Sequence, residues 1–202
     1  LQINPHYVRG YSNLGFVLYK QGDFPNAVTA YNKAIEKAPH SRAALEAYNN
    51  YALLLIRRQD AGSLSEAVRL LTKALEIDPE YGEAHSNMGF ALAMQGKAED
   101  AVGHIEKAAH FSPFSARIYY NNGYVLTKLG RKDEAVRYFE GAYRIDPSSV
   151  EGHDGMAMAF LAKGDAGSAV EHFRQALQID PGDKVARKYL QRIMAGAAQP
   201  SD

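Results

Sequence analysis

Residues 116–149 read ARIYYNNGYVLTKLGRKDEAVRYFEGAYRIDPSS, and residues 150–183 read VEGHDGMAMAFLAKGDAGSAVEHFRQALQIDPGD. Laid one on the other, they match Gly130 with Gly164, Ala135 with Ala169, Phe139 with Phe173, Ala142 with Ala176 and Pro147 with Pro181. Each stretch carries apolar residues at helical spacing in two runs of about 14 residues, the pattern of two amphipathic helices. The glycine closing the first run is a helix C′ residue. The proline after the second run cannot continue a helix. The alanines stand where two helices must come close, since a larger side chain would hold them apart.

The same unit extends over most of the chain. Prolines 5, 39, 79, 113, 147 and 181 are spaced by 34, 40, 34, 34 and 34 residues. Gly22 and Gly96 continue the glycine series, and Ala27, Ala67 and Ala101 continue the first alanine series. A second alanine follows seven residues later each time, at Ala34, Ala74 and Ala108. The parse is a leading remnant at 1–7, then repeats at 8–41, 42–81, 82–115, 116–149 and 150–183. A last helix is expected over 184–195, with Val185, Tyr189, Leu190 and Ile193 on its apolar side, followed by a disordered tail at 196–202. Apolar inward and polar outward is the pattern of a terminal cap.

With Tyr11, Leu14, Gly15, Leu18, Gly22, Ala27, Tyr31, Ala34 and Pro39 in the first repeat, and Tyr119, Gly123, Leu126, Gly130, Ala135, Phe139, Ala142 and Pro147 in the fourth, the chain resembles the tetratricopeptide repeat family. The resemblance implies an all-α fold: a right-handed superhelical α-solenoid of stacked antiparallel helix pairs, five full repeats plus a C-terminal capping helix. It also implies a concave groove lined by the first helix of each pair, with protein or peptide as ligand.

The second repeat is longer than its neighbours. The Asn13, Asn50, Asn87, Asn121 series is spaced 37, 37 and 34, so the extra residues fall in two groups of three. One group, near Arg42, reads as an added helical turn. The other is expected to lengthen the turn around Gln59–Gly62, with Ser63 and Glu66 as a capping box.

Groove columns follow from position within the repeat. The sixth position gives Asn13, Asn50, Asn87, Asn121 and then Gly155. The ninth gives Phe16, Leu53, Phe90, Tyr124 and Met158; the fifth gives Ser12, Asn49, Ser86, Tyr120 and Asp154; the thirteenth gives Lys20, Arg57, Met94, Lys128 and Ala162. A side-chain amide both donates and accepts, so an Asn ladder pairs with peptide backbone of any sequence. The ladder resembles that of O-linked N-acetylglucosamine transferase superhelices; the competing reading is a local packing role. Asn13, Phe16, Asn49, Asn50, Asn87, Phe90, Tyr120, Asn121 and Tyr124 are the candidate peptide-binding residues. The two-carboxylate clamp of some family members is not matched. Its positions hold Ser12, Phe16, Asn50, Glu83 and Asn87 or, one repeat later, Asn49, Leu53, Asn87, Arg117 and Asn121. Asn122 stands where a buried Leu is expected.

Composition narrows the alternatives. The 202 residues include 23 Lys+Arg and 23 Asp+Glu, with no Cys and no Trp. Zero net charge gives no footprint for nucleic acid. No apolar run approaches a membrane span. His85 and His153 share the fourth position two repeats apart, and His104 and His172 share the twenty-third. That spacing argues against a metal site, and no catalytic motif is found, so neither an enzyme active site nor a cofactor is expected. Two further readings are a substrate-recruiting segment of a larger enzyme, such as a glycosyltransferase, and a self-assembly module joined through the exposed N-terminal repeat. The compartment is open between cytoplasm and periplasm, any targeting region lying outside this chain.

Overall fold

A computed structural model describes residues 5–196, and among the described residues the chain is all helix, with eleven helices and no strand. Residues 1–4 and 197–202, which include most of the tail expected to be disordered, lie outside the described residues. Two compact units form, residues 1–111 and 112–202. The first holds α1 (Pro5–Gln21), α2 (Phe24–Lys37), α3 (Arg42–Ile56), α4 (Ala61–Ile77), α5 (Gly82–Met94) and α6 (Ala98–Phe111). The second holds α7 (Ala116–Lys128), α8 (Lys132–Ile145), α9 (Val150–Ala162), α10 (Ala166–Ile179) and α11 (Lys184–Met194).

Helix starts are set by short polar side chains. Asp23, Ser41, Asp60, Ser115, Ser149, Asp165 and Asp183 each accept a hydrogen bond from the backbone N–H three residues on. These satisfy donors that the first helical turn leaves unpaired. The first helix of four pairs ends on glycine with positive φ: Gly22 at 84°, Gly96 at 78°, Gly130 at 76° and Gly164 at 83°. Pro5 opens α1, so Pro5–Tyr7 belong to the first helix and not to a remnant before it. Proline is well accommodated in a first helical turn, where its missing N–H has no partner to lose.

Within each pair the helices meet through small residues. Ala34, Ala74, Ala108, Ala142 and Ala176 are fully buried, as are Tyr31 and Phe173. Gly15 and Gly123 make room for aromatic rings: a Cβ at Gly15 would lie 2.6 Å from Tyr31, and one at Gly123 would lie 2.7 Å from Phe139. In the first unit α1, α3 and α5 also pack side by side, and α2 and α4 pack on the first helix of the following pair. In the second unit α7 packs on α9, α8 packs on α9, and α11 packs on α10. There Tyr189 stacks on Phe173 at 5.5 Å with planes 6° apart.

The expansion of the second repeat differs from expectation in one respect. The added residues before Asn50 do enter a helix: α3 has 15 residues where α5 has 13. The other group enters α4, which has 17 residues where α2 has 14, and does not lengthen the turn. Asp60, not Ser63, caps that helix; Ser63 Oγ donates to Asp60 Oδ2 at 2.7 Å. Glu66 pairs with Arg69 instead of reaching back to the cap. The turn keeps its length because Gln59 takes the left-handed conformation, φ 56°, that glycine holds in the other repeats. A side chain there strains the backbone. Gln59→Gly is expected to stabilise the chain by about 1 kcal/mol, read as a higher urea midpoint at unchanged m-value.

Candidate peptide groove and histidine pairs

The outward strip of α1, α3 and α5 carries the expected columns in the first unit. Asn13, Phe16 and Lys20 are exposed on α1; Asn50 and Leu53 are half-buried and Arg57 exposed on α3; Asn87, Phe90 and Met94 are half-buried on α5. Lys20 lies over the Phe16 ring at 5.4 Å, and Arg57 over Tyr19 at 5.3 Å. The strip therefore offers amides, an exposed aromatic and cations in adjacent rows.

The fifth column, expected to be exposed, is buried. Ser12, Asn49 and Ser86 are 1%, 5% and 4% exposed. Stacking of neighbouring first helices covers this row, and Asn87 Nδ2 donates to Asn49 Oδ1 at 2.8 Å across it. One amide of the sixth column is thus engaged in holding two repeats together, and Asn49 faces a helix and not a ligand.

Asn13, Asn50 and Asn87 belong to the first unit and Asn121 to the second. On α7, Tyr120, Asn121 and Tyr124 are half-buried, and Lys128 lies over the Tyr124 ring at 5.9 Å. The amide column stops at Gly155 for a steric reason. A Cβ there would lie 3.1 Å from the Phe139 carbonyl and 3.3 Å from Ala142, so α9 seats closely on α8. Met158 is buried, and so is Asn122, as its position in the repeat demands.

Asp154 is 2% exposed and its Oδ1 has no hydrogen-bond partner. Burial, reinforced by Asp183 and Glu151, pushes its carboxyl up to about 8. Burial also raises the Tyr120 phenol well above its ordinary value, with Asp154 adding to the effect.

The histidines are arranged differently from their column reading. The partners are not equivalent positions two repeats apart but the fourth and twenty-third positions of one repeat. His85 Nδ1 and His104 Nδ1 are 2.9 Å apart, and His153 Nδ1 and His172 Nδ1 are 3.1 Å apart. His85 Nε2 lies 2.9 Å from the Pro79 carbonyl. A carbonyl only accepts, so His85 Nε2 carries the hydrogen and its Nδ1 accepts from His104 Nδ1–H. Phe111 stacks on His85 at 5.6 Å; Tyr143 meets both His153 and His172 edge-on, and Phe160 stacks on His172. The signal was present in the fourth repeat, where Tyr119 and Tyr138 hold the same two positions with rings 5.5 Å apart. Burial lowers all four histidines, and takes His104 to about 4 with help from His85 and Lys107. No group of three or more His, Cys, Asp or Glu among the described residues is placed to hold a metal ion.

Models of the tetratricopeptide repeat match residues 8–80, 58–121, 116–149 and 151–183. The chain belongs to the tetratricopeptide repeat family. Among curated proteins it is similar to the inactive TPR repeat-containing thioredoxin TTL3 of Arabidopsis thaliana, 35% identical over 43% of this chain. The TPR repeat-containing thioredoxin TTL4 of the same plant is 32% identical over a similar span. The chain covers only 12% of the length of either relative. Among solved structures, the thermophilic TPR protein TTC0263 of Thermus thermophilus superposes with TM-score 0.78 at 21% identity, covering 93% of this chain and 99% of that one. PilF of Pseudomonas aeruginosa gives 0.68 at 20% identity, with 96% and 90% covered. YrrB, a TPR protein with an unusual peptide-binding site, gives 0.53 at 21%, with 90% of each chain covered. Stacked tetratricopeptide repeats are in general non-catalytic scaffolds for protein interaction. No helix among the described residues is long and apolar enough to cross a membrane.

Two pH responses follow from the buried groups. The histidines are held neutral, so below pH 6.5 the unfolded chain takes up protons that the folded chain refuses until about pH 4 at His104. Stability therefore falls with acid across that window. Replacing His85 and His104 together with Tyr, after the Tyr119–Tyr138 pair, is expected to remove on the order of 1–2 kcal/mol of the loss between pH 7 and pH 5, measured by urea melts at both values. Asp154 acts in the opposite sense. Its folded form keeps a proton up to about pH 8 while the unfolded carboxyl loses it near the ordinary 3.8, so its contribution falls as pH rises between them. Asp154→Asn is expected to raise the melting temperature at pH 8 and to change it little at pH 4.

Proposed function

We propose that this chain is an interaction scaffold that holds an extended peptide or protein segment along the outward strip of its first helices. The observation that carries this reading is that α1 packs on α3 while Asn13, Phe16 and Lys20 stay exposed on the one and Asn50, Leu53 and Arg57 stay half-buried or exposed on the other. Amides pair with peptide backbone, the aromatic row takes apolar side chains, and the two cations favour acidic ones. The strip is built on packed helices, so little ordering cost falls on the scaffold when a ligand binds. A peptide-binding site in the similarly folded YrrB agrees with this role.

The amides do not contribute equally. Asn13 and Asn50 are the rungs assigned to ligand, whereas Asn87 already donates to Asn49. Peptides selected on the immobilised wild-type chain from a display library test the reading. A variant with Asn13, Phe16 and Asn50 all changed to Ala is expected to lose at least tenfold in affinity for them, about 1.4 kcal/mol, at unchanged helicity. Asn87→Ala alone is expected to cost about 1 kcal/mol of stability. Unchanged peptide affinity in the triple variant refutes the groove assignment.

A further inference from the structure

The fifth position of the repeat lies in the row that stacking of first helices covers, and a polar side chain there needs a partner. Between α3 and α5 the partner is supplied: Asn87 Nδ2, at the sixth position of α5, donates to Asn49 Oδ1, at the fifth position of α3. In the second unit the fifth positions of α7 and α9 hold Tyr120 and Asp154, and the sixth positions that follow them hold Gly155 of α9 and Tyr189 of α11. Gly155 has no side chain to offer. The Tyr189 ring is committed to Phe173, on which it stacks at 5.5 Å. Asp154 is thereby left buried with its Oδ1 unpartnered. The Ser12 hydroxyl in this row also lacks a partner, but it stays neutral, whereas a carboxyl that ionises in a buried place calls for a cation. A buried carboxyl oxygen without a donor costs free energy, and native structures rarely keep one without a role.

The surroundings of Asp154 narrow the ligand. The charged groups that act on it are Asp183 and Glu151, both acids, and the Tyr120 and Tyr189 phenols lie within its electrostatic reach. Asp183 Oδ2 already accepts from the Ala186 N–H at 2.6 Å as the cap of α11. The cations nearby sit over rings: Lys128 over Tyr124, and Lys188 and Arg192 over Tyr189, each at 5.9 Å. A calcium or magnesium ion wants about six oxygen ligands, and among the described residues no group of three or more His, Cys, Asp or Glu is placed to hold a metal ion. Tyr120, Tyr124, Asp183 and Tyr189 are half-buried around the carboxyl. A narrow approach of this kind admits a compact ammonium on an unbranched stem more readily than a planar guanidinium. We infer that Asp154, with the Tyr120 and Tyr189 rings, receives a primary ammonium group, that of a lysine side chain on a peptide or protein partner. The ammonium donates to Oδ1 and lies against tyrosine rings, whose faces attract cations. The site belongs to the second unit and does not rest on the amide rows of α1 and α3.

The carboxyl, raised to about 8, keeps its proton at pH 7, so seating an ammonium there releases that proton to the solvent. A short glycine peptide with blocked ends and one central lysine is titrated against the full chain by calorimetry at pH 7. It is expected to bind, with proton release read from the difference in heat between phosphate and Tris buffers. Asp154→Asn keeps the shape of the side chain and removes the charge; it is expected to weaken binding at least tenfold and to abolish the proton release, with circular dichroism as in the wild type. Glu151→Gln is expected to weaken binding several-fold. The same peptide with acetyl-lysine or with arginine in the central place is expected to bind at least tenfold more weakly. The inference is overturned if the lysine peptide does not bind, which leaves Asp154 a buried acid served by water. It is equally overturned if the acetyl-lysine or arginine peptide binds as tightly, if Asp154→Asn binds as the wild type does, or if potassium chloride alone reproduces the proton release. The groove variant lacking Asn13, Phe16 and Asn50 is expected to retain lysine-peptide binding, which separates failure of the one site from failure of the other.

Discussion

Everything in this molecule depends on how closely two helices can approach at alanine and glycine. A tetratricopeptide pair has no sheet or metal to organise it. Its stability comes from dispersion contacts and apolar burial along one narrow seam, and these are lost steeply with distance. Gly15 under Tyr31 and Gly123 under Phe139 show the limit, with no room for even a Cβ. Within each unit, neighbouring pairs then cover apolar surface that one pair alone would leave open. Side chains away from the seam are thereby freed from core duty, which is why the groove rows carry amides, aromatics and cations in mixed order.

The same logic explains which parts of the structure were legible in the sequence. Alanine, glycine and proline series mark seams, helix ends and turns, so the helix pairs and the terminal helix α11 follow from them. The placement of the second insertion did not follow, because Gln59 adopts a backbone conformation that the other repeats reserve for glycine. The Asn and Pro spacing placed three added residues in the turn, whereas the turn is unchanged and the helix after it is longer. The burial of Asn49 was likewise hidden. A position within the repeat says which helix side a residue is on, but not how far the next first helix overlaps it. The histidine pairs were missed because columns compare one position across repeats, whereas Nδ1–Nδ1 contact joins two positions within a repeat.

The two units also differ in what their buried polar groups do. In the first, the Asn87–Asn49 bond gives a polar tie between stacked repeats, and the His85–His104 pair is fixed by a backbone carbonyl. In the second, Asp154 remains a buried acid whose Oδ1 lacks a partner. A satisfied buried network specifies one packing arrangement, while an orphaned acceptor costs stability. The first unit carries the same cost at Ser12, Tyr19 and Tyr31, whose buried hydroxyls also lack a partner.

The longer α3 and α4 have one more consequence. A groove made of identical rungs presents a sliding ligand with several equivalent alignments, each shifted by one repeat. The second repeat removes that degeneracy. Its α4 is three residues longer than α2, about 4.5 Å at helical rise, so the pair stands taller than the one before it. Next to it Phe24, Pro25 and Val28 face Leu54, Arg57 and Arg58 across a cavity of about 440 Å³ that the regular spacing of the array does not predict. The first unit thus has a fixed origin along its length, and a segment lying across it meets one alignment that is chemically distinct from the rest.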